Sequence, residues 1–235
     1  MIGNQIRNIK RWNQIVRVLA RYGFVEFLRE IGLGNMVADL LDRVRIGRSE
    51  AALVRMPTPV RLRHAMEELG PTFIKLGQVL STRRDLVPDV WAKEFERLQS
   101  DCPRIPFPEI REVLESTLGE KLDDLFESID ETPLAAASMA QAHRAVLEGG
   151  RDVVLKILRP GVRETIEGDM EALRFIARLA EEHLPNLGFD PLETVEEFAR
   201  ELARETDLEI EARSTERLAA MFADDPAITF PEIHW

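Results

Sequence analysis

The chain has 235 residues, 45% of them hydrophobic, and carries a net charge of −11. This length and composition suit one large or two small globular domains with a buried core. No apolar run approaches the roughly 18 residues that a membrane span needs, and the start of the chain lacks the apolar core of a signal peptide. Cys102 is the single cysteine, which excludes an internal disulfide and a cysteine-rich zinc site and indicates the reducing cytoplasm.

The charge is distributed unevenly along the chain. Residues 1–65 contain 12 Lys and Arg against 5 Asp and Glu, a net +7, whereas residues 66–235 contain 19 against 37, a net −18. The acidic part would repel phosphates, so a nucleic acid is disfavoured as a partner. The basic part could meet an anionic membrane surface, an acidic face of a partner protein, or the acidic part of the same chain.

Residues 4–45 are predicted to be helical. Apolar side chains recur at helical spacing from Ile6 to Leu19, and basic side chains are interleaved with them. A basic amphipathic helix of this kind either lies on a membrane surface or packs its apolar stripe against neighbouring helices, and the second arrangement is the more common. Residues 46–57 are predicted to be a connection. The basic residues of the first helix are Arg7, Lys10, Arg11, Arg17 and Arg21.

Residues 58–101 are predicted to be helical again, with a stop before Pro71 and another before Pro88. Each proline suits the first turn of a new helix, because that position has no helical hydrogen bond to donate. A linker at 103–108 and a further helix at 109–118 follow.

The helix that begins at Pro71 carries two polar side chains on one face. Lys75 and Gln78 are three residues apart, which places them together on the helix surface. Gly77 beside them lacks a side chain and so allows another surface to approach closely. From the residues alone, this face is either a functional surface or an ordinary solvated one.

The segment from 133 to 160 predicts a small antiparallel sheet. A bend of four small residues precedes a strand at 139–147, a glycine turn and a strand at 153–158. Lys156 interrupts the apolar second strand, and burying it would require a carboxylate or an anionic ligand. Kinase small lobes grip nucleotide phosphates with such a loop and strand lysine, while the alternative is a surface hairpin with a solvated lysine. The bend consists of Ala135, Ala136, Ala137 and Ser138.

Two helical stretches are predicted beyond this sheet. The first follows from apolar residues that recur every three or four positions over 162–179, and a proline-bounded break at 185–191 ends it. The second covers 193–222. The final residues, 228–235, are predicted to be strand-like.

The second of these stretches is densely acidic. In one continuous helix, Glu205 and Glu209 share one face and Asp207 and Glu211 share another, each pair four residues apart. Like charges at this spacing slightly destabilise an isolated helix. Either solvent and arginines screen them, which is usual, or a cation lies opposite.

Taken together, these motifs resemble those of the UbiB-like (AarF-type) atypical kinases, which are tied to ubiquinone biosynthesis. They occur in the family's order over roughly residues 10–235. Two segments differ from the commonest sequences of the family: VVLKI stands for VAVKV, and AQAH stands for AQVH. Neither difference affects a charged group. The matching motifs are Lys75-Leu-Gly-Gln78 (KxGQ), Ala135–Ser138 (the alanine-rich nucleotide loop), Lys156 (the strand-three lysine), Glu205-Thr-Asp207 (ExD) and Glu211 (the helix-C glutamate).

The resemblance implies an α+β fold with three segments. Residues 1–57 would be a basic helical segment, residues 58–124 a helical extension that carries the KxGQ motif, and residues 125–235 a kinase-like small lobe with a short antiparallel sheet. It also implies ATP or ADP with Mg as cofactor and peripheral attachment to the cytoplasmic face of the inner membrane. Proteins of the quinone pathway would be partners.

The resemblance also implies a mechanism. The alanine-rich loop and Lys156 would hold the nucleotide, and Glu211 would orient the lysine. The helix of Lys75 and Gln78 would lie across the active site, where a protein substrate would otherwise dock. Glu205 and Asp207 would be turned toward Lys75 or toward the phosphate site. Such an enzyme suits ATP hydrolysis or phosphorylation of a small molecule near lipid.

One part of the kinase pattern is missing after Lys156. Neither the catalytic-loop aspartate with its asparagine nor the metal-binding aspartate before glycine has a counterpart. The chain is therefore expected to be the front part of such a kinase, catalytically incomplete without a large lobe that carries the metal ligands. A shortened gene, a cloning boundary and a split protein fit equally. The alternative, from a different class, is a non-catalytic module that binds a membrane or a partner.

Overall fold

The structure is a computed structural model that describes residues 2–35, 38, 53–98, 103–184 and 187–235. Helices and one small sheet make up these residues, which confirms the predicted α+β class. Cys102 lies outside the described residues. The helices are α1 (Ile2–Arg21), α2 (Val25–Leu28) with a wider turn at Arg29–Leu33, α3 (Thr58–Leu69), α4 (Pro71–Thr82), α5 (Asp89–Phe95), α6 (Phe107–Leu118), α7 (Leu122–Leu125), α8 (Val162–His183), α9 (Pro191–Glu205) and α10 (Leu208–Met221).

The sheet is built around one central strand. Strand β4 pairs antiparallel with β3 along its whole length, so β1 and β2 share the opposite edge of β3. Gly149 and Gly150 form the β3–β4 turn with φ of 95° and 81°, which glycine adopts without steric strain. The strands are β1 (Phe126–Ile129), β2 (Ala135–Ala136), β3 (Ala140–Leu147) and β4 (Arg151–Leu158).

The main core joins helices from all three predicted segments of the chain. Buried apolar residues of α1, α3, α4, α8 and α9 pack together, and a smaller cluster lies between α6 and the sheet. The segments therefore pack on one another, and their division into domains stays a prediction. Among the described residues, no helix is long and apolar enough to cross a membrane. Representative members of the main core are Ile15, Ala65, Phe73, Met170, Leu173 and Leu202.

Helix α1 is packed into this core. Ile15 and Val16 are almost fully buried, with exposures of 0% and 1%, and the ring of Trp12 meets that of Phe175 edge-on at 4.9 Å. Of the two arrangements left open by the sequence, the structure has the packed helix. From Trp12 to Leu19 the apolar stripe is therefore covered by protein.

A buried ion pair fastens α1 to α8. Arg11 Nε donates to Asp169 Oδ1 at 2.5 Å, and Arg11 Nη2 donates both to Asp169 Oδ2 at 3.0 Å and to the carbonyl of Leu69 at 2.6 Å. Asp169 is fully buried. A buried carboxylate needs such a partner, because desolvation of an unpaired charge costs several kcal/mol. The pair therefore fixes the relative positions of α1, α8 and the end of α3.

The acidic stretch is two helices, which corrects the prediction of one helix over 193–222. Helix α9 ends at Glu205 and α10 begins at Leu208, so Glu205 and Glu209 lie on different helices. Two residues between them cause the break. The Thr206 hydroxyl donates to the carbonyl of Leu202 at 2.8 Å, and Asp207 has an extended backbone that suits the residue before a helix.

Smaller predictions at element ends also need correction. Pro88 precedes α5 with an extended backbone (φ −58°, ψ 149°), whereas the prediction placed it in the first turn. Helix α6 begins at Phe107, two residues before the predicted start, because Pro108 fits its first turn. Residues 228–235 form no strand; the indole of Trp235 instead donates to Glu216 of α10 at 2.8 Å.

The buried ion pair gives a prediction about stability. Asp169→Asn leaves the guanidinium of Arg11, which is only 17% exposed, without a counter-charge. We expect the free energy of unfolding in urea to fall by about 3 kcal/mol. Glu26→Gln is the control, because it removes an exposed pair with Arg29, and we expect a change of less than about 0.5 kcal/mol. Equal effects of the two substitutions would contradict the structural role given to Asp169.

Candidate functional site

Lys156 and Glu211 form an ion pair on the open face of the sheet. Lys156 Nζ lies 2.6 Å from Oε1 and 2.5 Å from Oε2 of Glu211, which confirms the predicted contact between β4 and α10. The sequence left the burial of the lysine open, and in the structure the side chains of Lys156 and Glu211 are 47% and 50% exposed. An exposed pair contributes little to stability, so its interest is the position in which it holds the ammonium group.

The register of the sheet places Lys156 in one row with the alanine-rich segment. Ala135 lies opposite Ala142, and Ala142 lies opposite Lys156 on the next strand. Directly opposed residues share a face, so the three side chains lie on the same side of the sheet. With strands about 4.8 Å apart, the row spans about 10 Å. Two of its members are alanines, which leaves room above the sheet beside the lysine.

The other face of the sheet is buried. The neighbouring row consists of Ala136, Gln141 and Ile157, which are 8%, 1% and 4% exposed. The strand that carries Lys156 therefore alternates between a buried and an open face. The apolar run in the sequence did not show which face of the strand is covered, so it left the burial of the lysine open.

Asp207 holds the start of the helix that carries Glu211. Its carboxylate Oδ1 accepts hydrogen bonds from the amides of Glu209 at 3.1 Å and Ile210 at 3.2 Å. This is a helix N-cap, which satisfies amides that have no partner within the helix. The aspartate of the ExD motif thus has a structural role that the motif did not indicate. No side chain of α10 is buried, so the helix depends on such polar contacts.

Lys75 docks on the glutamate of the same motif. Its Nζ lies 2.8 Å from Glu205 Oε2 and 3.9 Å from Glu201 Oε1, which confirms that the face of α4 turns toward the Glu205–Asp207 segment. Glu205 Oε2 is buried and no hydrogen-bond donor is aligned with it, so the contact is a charge pair. It joins α4 and α9 across 130 residues of sequence.

Gln78 and Gly77 hold the same helix against the residues that follow α5. Gln78 Nε2 donates to the carbonyl of Leu98 at 3.1 Å. A Cβ atom at Gly77 would overlap Leu98 Cδ1 and the sulfur of Met66, so the close approach predicted for this glycine is confirmed. Helix α4 is therefore fastened both to the acidic segment and to the end of the α5 region.

A groove of about 420 Å³ lies between α4 and α9, with Lys75 at its edge. Its charged side chains are paired with one another. Arg83 Nη2 lies 2.8 Å from Asp85, and its Nη1 lies 3.2 Å from Glu197. The hydrogen bond from Arg83 holds the pKa of Asp85 below its usual value. The positive and negative charges of the groove therefore largely cancel, and the groove has no strong electrostatic potential of one sign.

Sequence reasoning missed three polar residues that surround the alanine-rich loop. The amide of Gln141 is fully buried and brackets the backbone of Ile105, with distances of 2.9 and 3.2 Å. His143 Nδ1 donates to the carbonyl of Asp130 at 2.8 Å, and its Nε2 accepts from Gln141 Nε2 at 2.9 Å. Arg159 donates to the loop itself. The AQAH sequence pointed to Gln141 and His143. Their roles could not be predicted from it, because their hydrogen-bond partners are backbone groups far away in the sequence.

The described residues provide part of a kinase site. They hold no group of three His, Cys, Asp or Glu side chains that could bind a metal ion. The donor set therefore does not fit Mg²⁺, whereas an exposed lysine beside small residues fits the phosphates of a nucleotide.

The comparisons with known proteins define the family. Residues 97–235 match the model described as "ABC1 atypical kinase-like domain", and the chain belongs to that family. Proteins named "Probable protein kinase UbiB" are similar to it: the one from Cellvibrio japonicus is 36% identical over 94% of this chain, and the one from Marinobacter nauticus 40% over 74%. The protein from Pseudomonas aeruginosa is 36% identical over 97%.

The chain spans less than half the length of these relatives. It covers 40% of the Cellvibrio protein, 32% of the Marinobacter protein and 43% of the Pseudomonas protein. Among solved structures, Rv3197 of Mycobacterium tuberculosis in complex with erythromycin is 27% identical over 82% of this chain and 45% of that chain, with a TM-score of 0.47.

The N-cap of α10 gives a prediction that separates structure from chemistry. Asp207→Ala removes the cap and should cost about 1 kcal/mol, with loss of helical chemical shifts confined to α10. Asp207→Asn is the matched control, because asparagine caps equally well without the charge. We expect Asn to retain the helix. If both substitutions unravel α10 alike, the charge of Asp207 rather than its cap hydrogen bonds supports the helix.

Proposed function

We propose that this chain contributes the nucleotide-holding part of an atypical kinase or ATPase that supports ubiquinone biosynthesis. The observation that carries the proposal is the ion pair between Lys156 and Glu211 on the open face of the sheet, in one row with Ala135 and Ala142. In kinase small lobes, a strand lysine that is oriented by a glutamate contacts the nucleotide phosphates. Membership of the ABC1 family supports the same assignment.

Each group of the site has a role in the proposal. Glu211 orients the ammonium group of Lys156, which contacts the α- and β-phosphates. The segment Ala135–Ser138 covers the phosphates with its backbone, and alanine makes this loop stiffer than glycine would. Bound ATP would supply the phosphoryl group. Glu205 holds Lys75, so helix α4 occupies the side on which a protein substrate would dock, and this favours a small molecule or water as acceptor.

Catalysis is the part of the function that this chain does not provide by itself. The described residues supply neither a metal-binding set nor, in sequence, a catalytic-loop aspartate with its asparagine. We therefore assign Mg²⁺ and the catalytic base to parts of the kinase that these 235 residues do not cover. In experiments on this chain, the nucleotide should therefore bind without being hydrolysed.

This separation gives the main test. In an NMR titration, the 235-residue chain should bind ATP weakly and should hydrolyse none above background. Lys156→Ala should weaken binding about tenfold, since it removes a charge-assisted contact. Lys93→Ala is the control, because Lys93 is an exposed lysine of α5 away from the sheet. Unchanged binding in Lys156→Ala would refute the nucleotide site, and steady hydrolysis lost in the same variant would refute the incompleteness.

The alternative function, a membrane-binding module, has little free surface on the part of α1 whose side chains are described, from Lys10 to Arg21. There the apolar residues from Trp12 to Leu19 pack on the core, Arg11 is paired with Asp169 and Arg21 with Glu68. Lys10 and Arg17 remain exposed, seven residues apart on one face of the helix. Peripheral attachment to an anionic surface would use these two cations, each worth on the order of 1 kcal/mol near such a surface.

This surface predicts weak, salt-sensitive binding to anionic vesicles. The double change Lys10→Glu and Arg17→Glu should abolish co-sedimentation at low salt. The double change Lys93→Glu and Lys121→Glu is the control, because it alters net charge equally at exposed positions away from α1. Vesicle binding that changes neither with salt nor with the two α1 substitutions would contradict the membrane role. Arg11 is left intact, since its substitution would break a buried ion pair.

A further inference from the structure

Arg159 contacts the alanine-rich loop through its side chain and the residue directly after the loop through its backbone. It directly follows β4, and its amide donates to the carbonyl of Met139 at 3.0 Å. Its side-chain Nε donates to the carbonyl of Ala137 at 2.9 Å, and its Nη2 donates to the carbonyl of Pro103 at 2.9 Å. Arg159 therefore binds one carbonyl group of the loop and that of the next residue, and it joins them to the segment before α6.

These contacts set the direction of the loop's peptide groups. The amide of Ala137 is already used, since it donates to the carbonyl of Ala140 at 2.9 Å. None of the described peptide bonds is cis, and in a trans peptide the N–H points opposite to the C=O. Because the carbonyl of Ala137 faces Arg159, the amide of Ser138 is directed away from it.

This orientation has a chemical consequence for an anionic ligand. Backbone amides attract phosphate oxygens, whereas carbonyl oxygens repel them. A loop made of alanines has almost no polar side chains with which to fix its own conformation, so the conformation must be set from outside. The guanidinium group does this with a planar pair of donors that a lysine cannot reproduce.

The support behind Arg159 is itself fixed. The carbonyl of Pro103 lies two residues before Ile105, whose backbone is bracketed by the buried amide of Gln141. The acceptor on the far side of the guanidinium group is therefore anchored to strand β3. The guanidinium plane of Arg159 is therefore held in a fixed orientation relative to the loop.

We propose that Arg159 is a positioning residue that holds the alanine-rich loop in its phosphate-binding conformation by fixing the direction of the Ala137–Ser138 peptide group. The inference rests on the proposed nucleotide site, since it concerns the same loop. It assigns the orientation of the loop to a residue outside every motif that the sequence offered. Arg159 acts through the loop backbone and is given no contact with the nucleotide.

The first experiment measures the loop without any ligand. Amide hydrogen exchange at Ala137 should become at least about fivefold faster in both Arg159→Lys and Arg159→Gln, because the loss of a hydrogen bond loosens the turn that protects it. Exchange at Ala145, within β3, should not change. Arg144→Lys is the control: it makes the same substitution on the same sheet, where Arg144 pairs with Asp152. Unchanged exchange at Ala137 in both Arg159 variants would overturn the proposal.

The second experiment measures binding of ATP by NMR titration. Both Arg159 variants should weaken binding about five- to tenfold, by the loss of positioned hydrogen bonds, while Arg144→Lys does not. If Arg159→Lys retains wild-type affinity, charge rather than positioning is what matters and the inference is wrong. If the wild-type chain binds no ATP and Lys156→Ala changes nothing, the proposed function fails, and the exchange experiment still decides whether Arg159 orders the loop.

Discussion

The buried carboxylate of Asp169 is the constraint on which the arrangement of the helices depends. It is fully buried, and the single guanidinium of Arg11 neutralises it while also binding the last carbonyl of α3 at Leu69. Helix α8, which carries Asp169, follows directly after β4, and α4 follows directly after α3. The ion pair therefore relates the sheet to the α4 helix. Together with the main core, it fixes the position of Lys156 relative to Lys75.

The break between α9 and α10 lets neighbouring acids serve different lysines. Glu205 ends one helix and meets Lys75, while Glu211 lies in the first turns of the next and meets Lys156. In a single continuous helix their directions would be fixed by one helical axis. Asp207 creates the second axis by capping it. The ExD motif thus works here as a junction that distributes carboxylates between two sites.

Local pattern predicted the elements well and their surroundings poorly. The contact between Lys156 and Glu211 followed from motif order, but the burial of Lys156 did not, since a short apolar run cannot reveal whether a strand is covered on one face or two. The helix break was missed because helical periodicity is recognised over many residues, and a break of two residues, Thr206 and Asp207, hardly changes the pattern. Gln141 and Arg159 were missed because their partners are backbone carbonyls and amides brought near only by folding.

The absence of buried side chains on α10 has a consequence for how Glu211 is held. The apolar side chains of this helix are only partly covered, and Ile210 and Leu218 are 46% and 43% exposed, so the hydrophobic effect opposes its displacement only weakly. The N-cap and the exposed ion pair also oppose it and together contribute about 1–2 kcal/mol. A ligand that prefers the displaced helix by the sum of these contributions would populate both positions comparably. Glu211 is therefore on a helix that can shift at low cost, whereas Lys156 is on strand β4, which is fixed within the sheet.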